Sequence, residues 1–269
     1  MVREASLSVA GGFELVFLTG GGAGVERIVF LHSNAAGAEQ FRREVDAYAD
    51  VFPTVAVSLR GHGGSGLPAD PTVEDFGVAM LASDVTAVLD RLGVERAHMV
   101  VSSVGGLVAF ELLASQPGRV ASLVTFGSLA VVSAPWLAGV LFAAGLRALG
   151  RRGMAALFAL PAASGAAREH VRALVRRADP RAVGLVARNV AGAGYDYTDV
   201  LRRSTVPWLL VQAGRDRYVN RHLASTLQAG RASPRFAVAY LPGARHMANL
   251  DDPAGFDRVV RPFLAATCR

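Results

Sequence analysis

The sequence predicts an α/β fold in which a mostly parallel sheet of about eight strands is flanked by helices, and three observations lead there. Short β-branched or apolar runs recur, each followed by a turn and a helical pattern, which is the rhythm of parallel strands joined by crossover helices. Several runs, Trp208-Leu209-Leu210-Val211 among them, are apolar at every position, as strands covered on both faces are. Of the 269 residues, 52% are hydrophobic and 19% charged, enough to fill a sizeable core and the reverse of a disordered composition.

Taken in order, residues 5–10 and 13–18 flank Gly11-Gly12 and read as an antiparallel hairpin at the sheet edge. Further strands are expected at residues 28–32, 54–60, 98–103, 122–127, 207–214 and 236–243. Over residues 75–92, Phe76, Met80, Leu81, Val85, Val88, Leu89 and Leu92 recur largely on one helical face. Asp75 and Asp84 in the first half, Arg91 in the last turn and Gly93 as a stop suit the dipole and the caps of that helix. The rhythm breaks between Ser128 and about Arg203, where no convincing strand occurs and four helical patterns are interrupted at Gly150, Pro161 and Pro180. The expected organisation is therefore a core of residues 1–127 and 204–269, with residues 128–203 as a helical lid inserted after the sixth strand. Ligands of open α/β sheets bind at the carboxyl ends of the strands, so such a lid shapes the substrate pocket.

Composition excludes several classes. No apolar run reaches the ~18 to 20 residues that span a bilayer; the longest candidate, residues 135–150, carries three glycines and Arg147 and reads as a buried or interfacial helix. The N-terminus leads into a strand pattern rather than a signal peptide, so a cytoplasmic location with no membrane partner is expected. Cys268 is the sole cysteine, so it forms no internal disulfide, and no metal-ligand spacing surrounds it. The net charge of +6 is carried by arginine alone, with no lysine. The arginines are dispersed and accompany no nucleic-acid motif, which leaves solvated helix faces or an acidic partner.

Candidate chemistry lies in three loops. His98-Met99-Val100-Val101-Ser102-Ser103-Val104-Gly105-Gly106 runs from a strand into a helix, and a serine on so tight a turn has its Oγ pushed out over the sheet. Ser103 has a glycine two residues on, whereas Ser102 has Val104 there, so spacing selects Ser103. His246 follows the last expected strand, where it could take the Ser103 proton. Asp216 follows the strand before that, where its carboxylate could orient His246, or instead pair with Arg215 or Arg217 at the surface. No other histidine (His32, His62, His98, His170 or His222) shows metal spacing.

With these residues the sequence resembles the α/β-hydrolase family from about residue 5 to 265. The family's G-x-S-x-G turn matches at Ser103, Gly105 and Gly106, with Val101 in place of the first glycine. Its histidine loop matches at Gly243, His246, Asp252 and Pro253, and its acid loop at Gly214 and Asp216, one residue tighter than the commonest spacing. The order Ser103, Asp216, His246 is the one this fold uses. The resemblance implies an oxyanion hole made by the backbone N–H groups of Val104 and Asn34. Asn34 lies in His32-Ser33-Asn34-Ala35-Ala36-Gly37, where Ser33 replaces a glycine, and this loop is similar to that of enol-lactone hydrolases. Residues 58–66 resemble the family's D-x-R-G-H-G-x-S segment, with Ser58 for the acid and with Arg60 and His62 expected to knit the loop by hydrogen bonds.

The resemblance implies a serine hydrolase that cleaves a carboxylic ester or lactone through an acyl-enzyme, with no metal or organic cofactor. A lid rich in Leu, Val, Ala and Phe suggests a small to medium hydrophobic substrate. Thioester cleavage, carbon–carbon bond hydrolysis and cofactor-free peroxidation use a similar constellation. Arg147, Arg151, Arg152, Arg172, Arg176 and Arg177 keep an acyl carrier or CoA thioester open as a partner. Val101 and Ser33 motivate a reading of another class, a non-catalytic receptor or a biosynthetic protein that reuses the pocket. Epoxide and haloalkane hydrolysis are not expected, because those relatives place an aspartate where Ser103 stands.

Overall fold

The computed structural model describes residues 1–21, 26–49, 52–160, 162 and 164–267, so Pro161 and Cys268 lie outside the described residues. In chain order its elements begin with β1 (Arg3–Val9), β2 (Phe13–Gly20), β3 (Glu26–Leu31), α1 (Arg42–Ala47), β4 (Thr54–Val57), α2 (Val78–Arg91), β5 (Arg96–Ser102) and α3 (Val104–Ser115). They continue with β6 (Val120–Phe126), β7 (Val131–Val132), α4 (Trp136–Ala159), α5 (Gly165–Val175), α6 (Pro180–Ala193), β8 (Tyr195–Asp196) and α7 (Thr198–Arg203). The chain closes with β9 (Trp208–Ala213), α8 (Arg217–His222), α9 (Ala224–Ala232), β10 (Phe236–Leu241), α10 (Ala248–Asp251) and α11 (Pro253–Thr267).

Eight strands form one sheet in the order β1-β2-β4-β3-β5-β6-β9-β10. The hairpin strands β1 and β2 are antiparallel, and β2 also meets β4 antiparallel. Every other pairing is parallel. All seven residues of β6 are buried, and so are all but the first of β5. The side chains still alternate between two cores. Met99, Val101, Leu123, Trp208 and Leu210 face the layer of α2, α3, α7 and α9, while Val100, Val124, Leu209 and Val211 face that of α1 and α11. Two covered faces explain why the sequence shows unbroken apolar runs.

Three expectations change in detail. The strand expected at 54–60 stops at Val57, because residues 58–66 turn back on themselves. The helix expected at 75–92 starts at Val78, after an extended Gly77. Asp75 belongs to the preceding turn, where its Oδ2 accepts from the Thr72 N–H and hydroxyl. Asp84, expected to favour the helix dipole, is buried instead against Arg60, whose Nε and Nη2 donate to it over 2.6 and 2.7 Å. Finally, the stretch 128–203 does contain strand: β7 and β8 pair across its two ends, Val131 with Asp196 and Val132 with Tyr195.

Between β6 and β9 the chain leaves the sheet. Gly150 adopts φ 60° and ψ −175°, which breaks α4 into two helical pieces. Asp179 caps α6, its side chain accepting from Arg181 N–H, and Pro180 occupies the first turn, where its missing N–H costs nothing. Leu146, Met154, Val171, Val175 and Val183 of these helices share a third apolar cluster with Ala35, Ala36 and Met247. The inserted helices thus rest on loops at the carboxyl ends of β3 and β10. Among the described residues, no helix is long and apolar enough to cross a membrane.

The Arg60–Asp84 pair secures the loop on which α6 sits, since Gly61 O accepts from Asp179 N–H. Burial pushes the Asp84 carboxyl up, and Arg60 pulls it back. Arg60→Met, which strands that carboxylate, is expected to cost about 3–5 kcal/mol in urea unfolding, whereas Arg60→Met with Asp84→Leu recovers most of it. A single substitution that leaves the midpoint unmoved would contradict this.

Candidate active site

Ser103 joins β5 to α3 at φ 54° and ψ −116°, a backbone region that non-glycine residues rarely occupy and that costs on the order of 1–3 kcal/mol. Its neighbours hold it there. Ser103 N–H donates to Phe126 O over 3.1 Å, and Ser103 O accepts from Gly106 N–H and from the Ser128 hydroxyl. Glycine is required beyond the turn because α3 starts so close to its surroundings. A Cβ on Gly105 would lie 2.6 Å from Leu31 O, and one on Gly106 2.3 Å from Ser128 Oγ. Val101 is accommodated where the family pattern has glycine: it stays within β5, fully buried, paired with Leu31 and Thr125.

The acid and the histidine meet across 30 residues. His246 Nδ1 and Asp216 Oδ2 are 2.7 Å apart, while Asp216 Oδ1 accepts from Val219 N–H and caps α8. The cap fixes the plane of the carboxylate, so Asp216 engages His246 rather than Arg215 or Arg217. With Nδ1–H donated to the acid, Nε2 is left as the basic nitrogen. Gly127, which the sequence did not single out, lies directly under this ring. At φ 60°, its absent Cβ would be 3.0 Å from His246 O, 3.2 Å from Cε1 and 3.3 Å from Nδ1.

The loop after β3 supplies the remaining groups. Ser33 N–H donates to Gln40 Oε1, Ala35 N–H to Asn34 Oδ1 and Ala36 N–H to Ser33 O, so the bonds that shape the loop do not use the Asn34 amide. Val104 is the first residue of α3, where an N–H has no carbonyl of its own helix to bond. Ala35, at φ 67°, is the one other non-glycine residue of positive φ among the described residues, so both strained positions border the same site. Ser33 Oγ and Ser102 Oγ lie 2.7 Å apart and buried, which turns Ser102 away from the cavity that Ser103 faces. Gln40 goes on to Asn249, three residues past His246, whose side-chain amide donates to Gln40 O. A buried polar chain therefore ties the loop after β3 to the histidine loop.

These loops open into a cavity of about 320 Å3. Ser33, Asn34, Ser103, His246 and Asp251 line its floor, and Phe142, Leu157, Phe158 and Val171 of α4 and α5 line its roof. Ser103, Asn34 and His246 thus share one wall, with Asp216 behind His246. Among the described residues Ser103 Oγ has no hydrogen-bond partner; in sites without substrate such contacts are often long.

The family model for the alpha/beta hydrolase fold matches residues 26–253. The chain belongs to the α/β-hydrolase family. Over 123 residues this α/β hydrolase is 38% identical to a 2-hydroxy-6-oxononadienedioate/2-hydroxy-6-oxononatrienedioate hydrolase of Paraburkholderia phymatum, covering 44% of this chain and 41% of that one. Several curated relatives, that one included, are matched over only 26 to 41% of their own length. Over 249 residues it is 28% identical to a pimeloyl-(acyl-carrier protein) methyl ester esterase of Aeromonas hydrophila, covering 88% of this chain and 94% of that one. Among solved structures, the enol-lactonase from Burkholderia xenovorans LB400 superposes with a TM-score of 0.84 over 97% of this chain and 100% of that one. Their sequences are 20% identical, so that likeness is one of fold.

Two buried histidines support the site without entering the cavity. His32 Nε2 accepts from Leu59 N–H over 2.9 Å, and its Nδ1 donates to Ser33 O over 2.7 Å. His62 places Nδ1 2.8 Å from Arg60 O and Nε2 3.0 Å from Asn34 Oδ1. Burial lowers His32 from 6.5 to about 3 and His62 from 6.5 to about 4. The unfolded chain takes up protons at both rings below about pH 6.5, while the folded chain resists until pH 4 and below. Stability should therefore fall as the pH drops from 6.5 towards 4, by up to about 1.4 kcal/mol per histidine per pH unit. Unfolding followed across that window should show a shallower slope in His62→Gln, and an unchanged slope would count against the assignment.

Proposed function

We propose that this α/β hydrolase cleaves a carboxylic ester or lactone of small to medium hydrophobic substrates, with Ser103 as nucleophile, His246 as base and Asp216 as orienting acid. The observation that carries the reading is the 2.7 Å His246–Asp216 contact beside a strained serine on the wall of one apolar cavity. In this reading Ser103 Oγ attacks the carbonyl carbon as His246 Nε2 takes its proton. The oxyanion forms opposite the Asn34 and Val104 amides. As the tetrahedral intermediate collapses, the alcohol leaves with the proton held by His246. Water then attacks the acyl-enzyme by the same route in reverse, which requires no metal or organic cofactor.

Residues 128–203 serve as the lid in this proposal, since α4 and α5 supply the apolar roof over Ser103. The cavity also favours esters over dianionic substrates. Among the described residues that line it, His246 is the one basic side chain, and the Asp251 carboxylate, which accepts from Arg245 N–H, is the one acidic side chain. That is a poor lining for a dioate of the kind named for one relative. A second reading, an acyl group delivered on an acidic carrier, is favoured by one feature. Arg147, Arg181 and Arg188 outnumber Asp70 in the lining of a separate cavity of about 440 Å3 between α4 and α6, with Arg181 paired to Asp179, and one relative is named for an acyl-carrier ester. A KM that rises steeply with salt for carrier-borne but not free esters would select it.

Stoichiometric labelling of Ser103 by a fluorophosphonate, with loss of turnover on the order of 10⁴- to 10⁶-fold in Ser103→Ala, is the expected result for the acyl chemistry. Full turnover in that variant, or a folded protein that resists the probe, would overturn the reading in favour of a non-catalytic receptor. Gly127→Ala, which presses a methyl on the His246 ring, should lower kcat on the order of 10- to 100-fold. The accompanying stability loss should be about 1 kcal/mol, for the positive φ; a melting shift without a kinetic effect would show that Gly127 does not position His246.

A further inference from the structure

Helix α4 has an outer face that is exposed among the described residues. Its first piece, up to the break at Gly150, exposes Leu137, Leu141, Ala144 and Ala148, spaced as one helical stripe, and Trp136 at its start. Trp136 is 66% exposed, Leu141 64% and Leu137 49%, large side chains that a free monomer gains by hiding. Arg147, Arg151 and Arg152 are exposed on the same helix, and no aspartate or glutamate occurs anywhere from residue 112 to 168. Arg151 is partly engaged by Asp179 and the Arg176 carbonyl, which leaves Arg147 and Arg152 projecting beside the stripe. The sequence alone assigned no membrane partner because no run is long enough to span. Lying in the interface needs only one apolar face with basic residues and an aromatic anchor.

We propose that the outer face of α4 docks on an anionic lipid surface. Two features separate this from an apolar patch awaiting another protein. The charge that α4 itself brings to the patch is all positive, Arg147, Arg151 and Arg152, opposite to that of an anionic leaflet, although Asp70 lies near Arg147 and Asp179 near Arg151 from neighbouring elements. The helix that carries the patch also roofs the candidate active site, because Phe142 and Leu157, both partly exposed, belong to α4 and to the cavity roof at once. A docked α4 would therefore set the cavity mouth against the bilayer and select esters that partition into it. That last step rests on the reading of Ser103 as nucleophile, but the docking itself does not.

The test is flotation of full-length Ser103→Ala protein with vesicles of phosphatidylcholine containing phosphatidylglycerol, beside vesicles of phosphatidylcholine alone. Binding is expected on the anionic vesicles, weakening as salt rises, with a blue shift in tryptophan emission that reports Trp136, since Trp208 is buried in the core. Arg147→Gln with Arg152→Gln should weaken binding about fivefold per arginine. Leu137→Asp with Leu141→Asp should abolish it while leaving the melting temperature and, in the Ser103 background, turnover of a water-soluble ester unchanged. The proposal is overturned if the folded protein ignores anionic vesicles, or if the double aspartate variant binds them equally well. It is also overturned if the protein is a dimer that this variant converts to a monomer, since a second copy then covers the face. Because binding is read in a protein without Ser103, failure of the docking and failure of the acyl chemistry remain distinguishable.

Discussion

The strained turn at Ser103 is the constraint around which the rest of the molecule is arranged. A side chain at φ 54° stays there only because its carbonyl is held by Gly106 N–H and Ser128 Oγ and its amide by Phe126 O. Those bonds demand that β6 lie beside β5 and that α3 start almost in contact with the backbone of β3. That approach is why Gly105 has no room for a Cβ, and the Ser128 side chain leaves none at Gly106. The parallel sheet and its two buried cores supply the rigidity that the local strain requires.

Around that turn, the places where the chain departs from its family's pattern are compensated by pairs of small polar groups. Ser33, standing where a glycine is usual, has its hydroxyl against Ser102 and its amide on Gln40. Ser58, standing where an acid is usual, accepts from Ala38 N–H through its hydroxyl. Val101 needs no polar partner, because its side chain faces the core rather than the turn. Each departure leaves the backbone bonded, and an unbonded polar group in these loops would have cost about 1–3 kcal/mol.

The inserted helices show a division of labour along one element. One side of α4 closes the cavity with Phe142 and Leu157, a second packs on α6, and the outer side exposes leucines beside arginines. Large apolar side chains left exposed on a helix mark a surface that contact with another apolar phase would stabilise. The exposed leucines of α4 are the feature on which the surface proposed for it rests.

The parts of this protein legible in the sequence were those that neighbouring residues specify. Unbroken apolar runs marked the central strands, glycine spacing chose Ser103 over Ser102, and the loops after the strands gave the order Ser103, Asp216, His246. The rest depended on contacts between residues far apart in the chain. Asp84 looked like a helix-dipole residue until the fold brought Arg60 to it, across 24 positions. Gly127 had no local signature of its place beneath His246, 119 positions away. Nor could periodicity say which side of α4 would meet the cavity and which the solvent, because large apolar residues occur on several of its sides. Hydrophobic pattern and turn chemistry act over a few residues, so one chain alone records them; the pairing of distant groups is set only when the sheet closes and the helices are laid on it.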